Sequence, residues 1–300
     1  MKKNIKNSII NNIAIIVAFL ILFIFFNISA LKVYIDNEIR KNDMDNSVNW
    51  CNKLLEYEPD NFCKNNIDEY YTKDTLSIYY DIFNSSEYST LFYFGIPFLV
   101  IASSLYMTSK KFRNQDIKNC LTRESYNMYM KKMLKNAYKS VIIWPLLTIY
   151  LLIISYLISG TFEVSITPNI ASFPMSFLKN PSLFIISYLL NTIFMSFFWT
   201  NIALLIVPDT RNYIVSVLES IMIYFGITLT NTFFVILLIN KIFHRDVEKY
   251  LDFFDVYNYY NRELIPFNIL CLSIALISGL LVYLKYKNKE KIIMKLERNS

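Results

Sequence analysis

The stretch "NSIINNIAIIVAFLILFIFFNISAL", residues 7–31, contains no Lys, Arg, Asp or Glu. A helix of this length rises about 37 Å at roughly 1.5 Å per residue. That is enough to cross the ~30 Å hydrocarbon layer of a bilayer. Three lysines precede the run, which is also how a secretory signal begins, but the run is too long for a signal core and is expected to be a retained helix. The same pattern recurs along the chain. Charge-free windows occupy Tyr88–Ser109, Ser140–Phe162, Asn180–Pro208 and Leu264–Leu284, and Asn212–Asn240 is interrupted only by Glu219. No window alternates with the period of a strand. Since lipid offers no partner to a free backbone amide, the expected fold class is an all-α integral membrane protein with six transmembrane helices in a single domain, 1–300.

The composition fits that solvent. Apolar residues make up 54% of the chain and charged residues 18%, and apart from Glu219 the charges are confined to the segments between the windows. Placing the N-terminus inside gives the inner segments (1–6, 110–139, 208–211 and 285–300) 19 basic and 5 acidic residues. The outer segments, 32–87, 163–179 and 241–263, then carry 11 basic and 18 acidic residues. The positive-inside rule therefore selects a multi-pass chain with both termini cytoplasmic. The net charge of +6 needs no nucleic acid to explain it. A basic cytoplasmic face beside anionic headgroups is sufficient, so the bilayer is the first expected partner.

The outer segments divide in two. In 32–87 apolar residues recur at three- and four-residue intervals, as at Val48, Cys51, Leu54 and Leu55, which predicts a small, acidic, helical extracellular insert between helices one and two. Cys51 and Cys63 both fall there, on the oxidising side, and either form a disulfide or remain thiols. Residues 241–263 mix aromatic and charged side chains, as expected of interfacial helices at headgroup level. Residues 285–300 form a basic cytoplasmic tail.

Enzymatic chemistry finds few of the residues it needs. The four glycines are too far apart to build a phosphate-cradling loop, so no nucleotide site of the chain's own is expected. The single histidine, His244, has no second ligand at metal-binding spacing, so no metal and no catalytic residue is assigned. Glu219 is the one intramembrane charge. A carboxylate in a spanning helix usually faces a protein interior or a wet cavity, which makes Glu219 the intramembrane polar candidate; the competing reading is that it reaches interfacial water, about two turns from Arg211. Asn191, Asn201 and Asn231 are expected to hydrogen-bond between helices.

The densest basic segment is "KKFRNQDIKNCLTRESYNMYMKKMLKNAYK", residues 110–139. From Tyr126 onward its apolar positions are Tyr126, Tyr129, Met130, Met133, Leu134, Ala137 and Tyr138, one face of an amphipathic helix, with Lys131, Lys132, Lys135 and Lys139 on or beside the other. Thr122 is its expected N-cap.

Within this segment "DIKNCLTRESYNMYMKKML" resembles the cytoplasmic loop between the second and third helices of type-2 ABC transporter permeases. The matching positions are Asp116, Ile117, Lys118, Leu121, Thr122, Arg123, Tyr126, Tyr129 and Lys132. Gln115 and Asp116 stand where that family often has glycine, and Thr122–Ser125 replaces its usual Pro-Ile-Ser turn. The resemblance implies that these nine residues form a coupling helix contacting a separate ABC ATPase subunit, present in two copies. It also implies a second permease chain, identical or homologous, and a bacterial plasma-membrane location. No cofactor would bind directly, ATP acting through the partner subunit. The expected cargo is a peptide, lipid, drug or antimicrobial compound, moved outward. The competing expectation is a non-transporting membrane sensor or immunity protein that binds a peptide through its extracellular insert.

Overall fold

The structure is a computed structural model and describes residues 2–55, 75–84, 89–113, 124–161, 181–210, 212–244, 264–289 and 292–293. Among the described residues every regular element is helical. In chain order these are α1 (Lys2–Leu55), α2 (Thr75–Asn84), α3 (Ser89–Arg113), α4 (Tyr126–Ala137), a 3₁₀ turn (Tyr138–Ile142), α5 (Ile143–Ser159), α6 (Pro181–Ile206), a short 3₁₀ turn (Val207–Asp209), α7 (Tyr213–Thr230), a π-helical stretch (Asn231–Ile236), α8 (Leu237–Phe243) and α9 (Leu264–Lys287).

Five helical stretches are long and apolar enough to cross a membrane: Ile13–Asp43, Tyr126–Ser159, Ser182–Asp209, Tyr213–Ile242 and Ile265–Lys287. Each overlaps most of one of the apolar windows. The remaining window, Tyr88–Ser109, folds as α3, whose apolar part Phe92–Tyr106 is shorter. Pro97 lies inside α3 without ending it, and Pro145 falls in the first turn of α5, where its missing N–H disrupts no ladder.

The structure departs from the sequence reading at the first boundary. The helix expected to end near Leu31 runs on to Leu55. No Gly or Pro occurs before Pro59, so nothing in the backbone chemistry of residues 2–55 stops it. At 54 residues α1 is about 80 Å long, far more than one bilayer crossing needs. The first part of the expected extracellular insert is thus a continuation of α1, and its second part contains α2.

The contacts divide the chain into two compact units. One comprises Phe23–Phe92 and Thr148–Phe173. Here α2 packs onto α1, with Leu76, Ile78, Tyr79, Ile82 and Phe83 buried. Phe26 stacks on Phe92 at 4.2 Å and meets Phe83 edge-on at 5.2 Å. The Ser29 hydroxyl donates to the Ile82 carbonyl at 2.9 Å, and Tyr150 donates to Asn27 at 2.7 Å. Gly160, with φ of +74°, ends α5 in the left-handed conformation that glycine adopts without strain. Thr75 at the head of α2 shares a hydrogen bond of 2.7 Å with Ser159.

The other unit comprises Met1–Leu22, Tyr93–Leu147 and Pro174–Ser300. Its centre is α6, which packs against α9, α7 and the 3₁₀ turn after α4. Burial along α6 runs almost without interruption from Met195 to Ala203. By contrast, within Tyr213–Ile242 only Ser216, Val217, Ser220, Tyr224, Thr228 and Ile236 are buried, so most of its apolar surface faces outward.

Candidate functional site

The amphipathic reading of residues 126–138 is realised in α4. Tyr126, Tyr129, Met130, Met133 and Ala137 are buried, while Asn127, Met128, Lys131, Lys132 and Lys135 are exposed. The helix starts one turn later than the sequence predicts. Ser125, not Thr122, stands at the N-cap, in an extended conformation and without a side-chain capping bond. Lys132 pairs with Glu124 at 2.6 Å on the exposed side, a contact worth at most about 1 kcal/mol.

The buried side of α4 is fastened to the end of α9, and α9 in turn to the end of α6, through unsatisfied carbonyls. The last four carbonyls of a helix have no partner within it. The Tyr126 hydroxyl donates to the carbonyl of Tyr286 in the last turn of α9, at 2.8 Å. The Tyr286 hydroxyl in turn donates to the carbonyl of Leu204 near the end of α6, at 2.8 Å. Lys285 completes this layer by donating to the Leu205 carbonyl and to the Asp209 carboxylate, the latter at 2.6 Å. A cation is well placed there, because a helix C-terminus carries partial negative charge.

A second layer lies further along the bundle. Tyr138 donates to the Asn201 side-chain oxygen at 2.7 Å. The Asn201 amide donates to Ser278 at 2.9 Å and to the Ala275 carbonyl at 3.2 Å, both on α9. Ser140 and Thr200 share a hydrogen bond of 3.2 Å. Small residues at 275, 278 and 279 let α9 approach α6 closely enough for these bonds. Beyond them Trp144 stacks on Trp199 at 5.0 Å, and Trp199 meets Tyr224 of α7 edge-on at 6.0 Å. All three rings are buried.

The residues singled out from sequence therefore occupy different environments. Tyr126 and Tyr129 face the protein's own core, whereas Lys132 is exposed. Asp116, Ile117, Lys118, Leu121, Thr122 and Arg123 lie outside the described residues, as do Cys63 and the side chain of Cys51, and with them the disulfide. Glu219 is exposed on the outward side of α7, beside Val215, Leu218, Met222 and Ile223, and has no hydrogen-bond or ion-pair partner among the described residues. No three His, Cys, Asp or Glu side chains cluster as metal ligands among the described residues.

The three asparagines separate as well. Asn201 is the interhelical hub described above. Asn231 opens the π-helical stretch, a local widening of the helix frequent at functional positions. Asn191 is fully buried, and both of its amide atoms lack a partner among the described residues. An unsatisfied buried polar group costs about 1–3 kcal/mol. Replacing it with an apolar residue of similar volume removes that penalty. Asn191→Leu is therefore expected to raise the thermal unfolding midpoint of the detergent-solubilised protein, and an unchanged or lower midpoint would mean that Asn191 has a partner after all.

Sequence reasoning had missed Asp209, Tyr286 and Lys285. Their signal was faint: one acid after a helix end, and an aromatic beside a lysine at another. No family model matches the chain, and neither a curated protein nor a solved structure is significantly similar to it.

Proposed function

We propose that this protein is the membrane-spanning permease subunit of an ATP-driven transporter, working with a separate ATPase and a second permease chain. On this reading α3 is a sixth span, both termini are cytoplasmic, and residues 110–139 meet the ATPase. The observation that carries the proposal is the fastening of α4. An amphipathic helix on the membrane surface needs only to bury its apolar face, yet α4 is tied by the Tyr126 hydroxyl to the end of α9, which Tyr286 ties in turn to the end of α6. The adjoining 3₁₀ turn is tied to the middle of α6 through Tyr138 and Asn201, and Asn201 is tied on to α9. A push on the segment before α4 would therefore be passed to two spans rather than dissipated in a loop.

The division of labour within the segment follows. Tyr126 and Tyr129 anchor it to the bundle, so the partner's contacts fall to Asp116–Arg123 and to the exposed side of α4 at Met128 and Lys132. The outward position of Glu219 favours a second permease chain. An ionised side chain inside a span is costly against lipid, and a protein neighbour covering that side of α7 would relieve it. The cargo would be amphipathic, moved along the contact between the two permeases.

Purification of the tagged chain from native membranes in mild detergent tests the proposal. The expected result is an ATP-hydrolysing subunit in the eluate, lost on Leu121→Asp and on joint Lys118→Glu and Arg123→Glu. A complex that survives these changes would sink the docking role of 116–123.

A further inference from the structure

Helices α1, α3 and α7 leave between them a cavity of about 600 Å³, within the roughly 300–1,000 Å³ range of small-molecule sites. Small side chains make the room: Ala14 and Ala18 on α1, and Ala102 and Ser103 on α3. The Ser103 hydroxyl is already engaged by the Leu99 carbonyl, so it offers little to a ligand. Val17, Phe98 and Leu218 on the wall are each more than two-fifths exposed, so the cavity opens sideways, towards where lipid would lie.

One end of the cavity differs in chemistry. Tyr106 and Tyr213 close it with their rings edge-to-face at 6.2 Å. The Tyr213 hydroxyl donates to the Ala102 carbonyl at 3.0 Å. The Tyr106 hydroxyl has no partner among the described residues. Beyond this end α3 continues through Lys110, Lys111 and Arg113, and the first turns of α1 carry Lys2, Lys3 and Lys6. The order along the cavity is thus apolar wall, phenol, basic helix ends.

That order matches an amphiphile. A dry apolar cavity has no hydrogen-bonding partners for water, so hydrocarbon fills it more readily. The phenols close the end from which α3 runs on, and α1 runs in, through basic sequence, the end an anionic headgroup would take. We propose that this cavity is a binding site for an acyl chain of an anionic membrane phospholipid, with a headgroup or ester oxygen accepting from Tyr106. The inference rests on the membrane reading but not on ATPase docking, so it stands or falls independently of the co-purification result.

The test uses the full chain in nanodiscs of phosphatidylcholine doped with phosphatidylglycerol whose acyl chain carries a diazirine near its end. After illumination, labelled peptides are mapped by mass spectrometry and compared with those from the same diazirine chain on phosphatidylcholine and from diazirine palmitate. The expected result is labelling concentrated on 13–18, 98–106 and 213–218, at least about fivefold stronger from phosphatidylglycerol than from phosphatidylcholine, the preference one basic residue gives at an anionic surface. Ala102→Phe and Ala14→Phe should abolish this labelling by filling the cavity. Tyr106→Phe leaves the cavity intact and should lower the phosphatidylglycerol preference, which decides the matter if the filling variants do not fold. Labelling spread equally over other outward apolar helices, such as α9, or equal from both phospholipids, would overturn the proposal as ordinary boundary lipid. Stronger labelling by palmitate, uncompeted by phosphatidylglycerol, would overturn it in favour of a free fatty acid.

Discussion

Trp199→Ala should lower the unfolding free energy by about 3–5 kcal/mol, the range for truncating a buried aromatic to alanine. Trp199 is wholly buried and joins three helices by itself: it stacks on Trp144 at the start of α5, lies on α6, and meets Tyr224 of α7 edge-on. Removing the indole deletes both aromatic contacts and opens a cavity among fully buried side chains. Lipid cannot reach this position to fill the space, so the loss of dispersion contacts is felt in full. Trp199→Phe keeps a ring at the site and should cost clearly less. Thermal or denaturant unfolding in a fixed detergent measures both, and an alanine variant within about 1 kcal/mol of the parent would show that the site collapses around the gap.

The next largest effect is expected at Asn201. Asn201→Leu removes three hydrogen bonds together, one from Tyr138 and two to α9. Interhelical hydrogen bonds in membrane proteins average about 0.6 kcal/mol and reach about 1.7. Leaving the half-buried Tyr138 hydroxyl without its acceptor adds to the loss. A destabilisation of about 2 kcal/mol follows. Tyr138→Phe and Ser278→Ala remove one arm each and should cost less, and their effects should not add to that of Asn201→Leu, because all three act in one network. Full additivity in a double-mutant cycle would contradict the network. The opposite sign expected for Asn191→Leu makes the pair informative, since both asparagines are buried in the same helix and differ in having partners.

Much of the fold was legible because a bilayer imposes simple rules. Apart from the first, each apolar window coincides with helical structure to within a few residues, as in Asn180–Pro208 against Pro181–Ile206, since lipid permits few alternatives to a helix. The end of α1 was not legible. Charge marks where a chain leaves lipid, whereas a helix stops only at a breaker or a cap, and residues 32–55 contain neither Gly nor Pro. The apolar face of α4 was read correctly down to Tyr126, Tyr129, Met130, Met133 and Ala137, because a 3.6-residue period is local information. What that face touches is not local. Nothing in the sequence links Tyr126 to Tyr286, 160 positions away, or Tyr138 to Asn201. Glu219 was conspicuous as the lone charge in a window, but its direction depends on which side of α7 the bundle occupies, and that is set by Ser216, Ser220 and Tyr224 packing inward.

The central claim is that a partner ATPase meets the exposed side of α4 while the buried side belongs to the bundle. Site-directed crosslinking in native membranes tests it most directly, in a chain freed of its four cysteines and given one at Lys132→Cys, Met128→Cys or Met133→Cys. Crosslinks from the first two positions to an ATP-hydrolysing subunit, and none from the buried Met133 position, are the predicted result. No such crosslink from any position, or one from Met133→Cys alone, would contradict it.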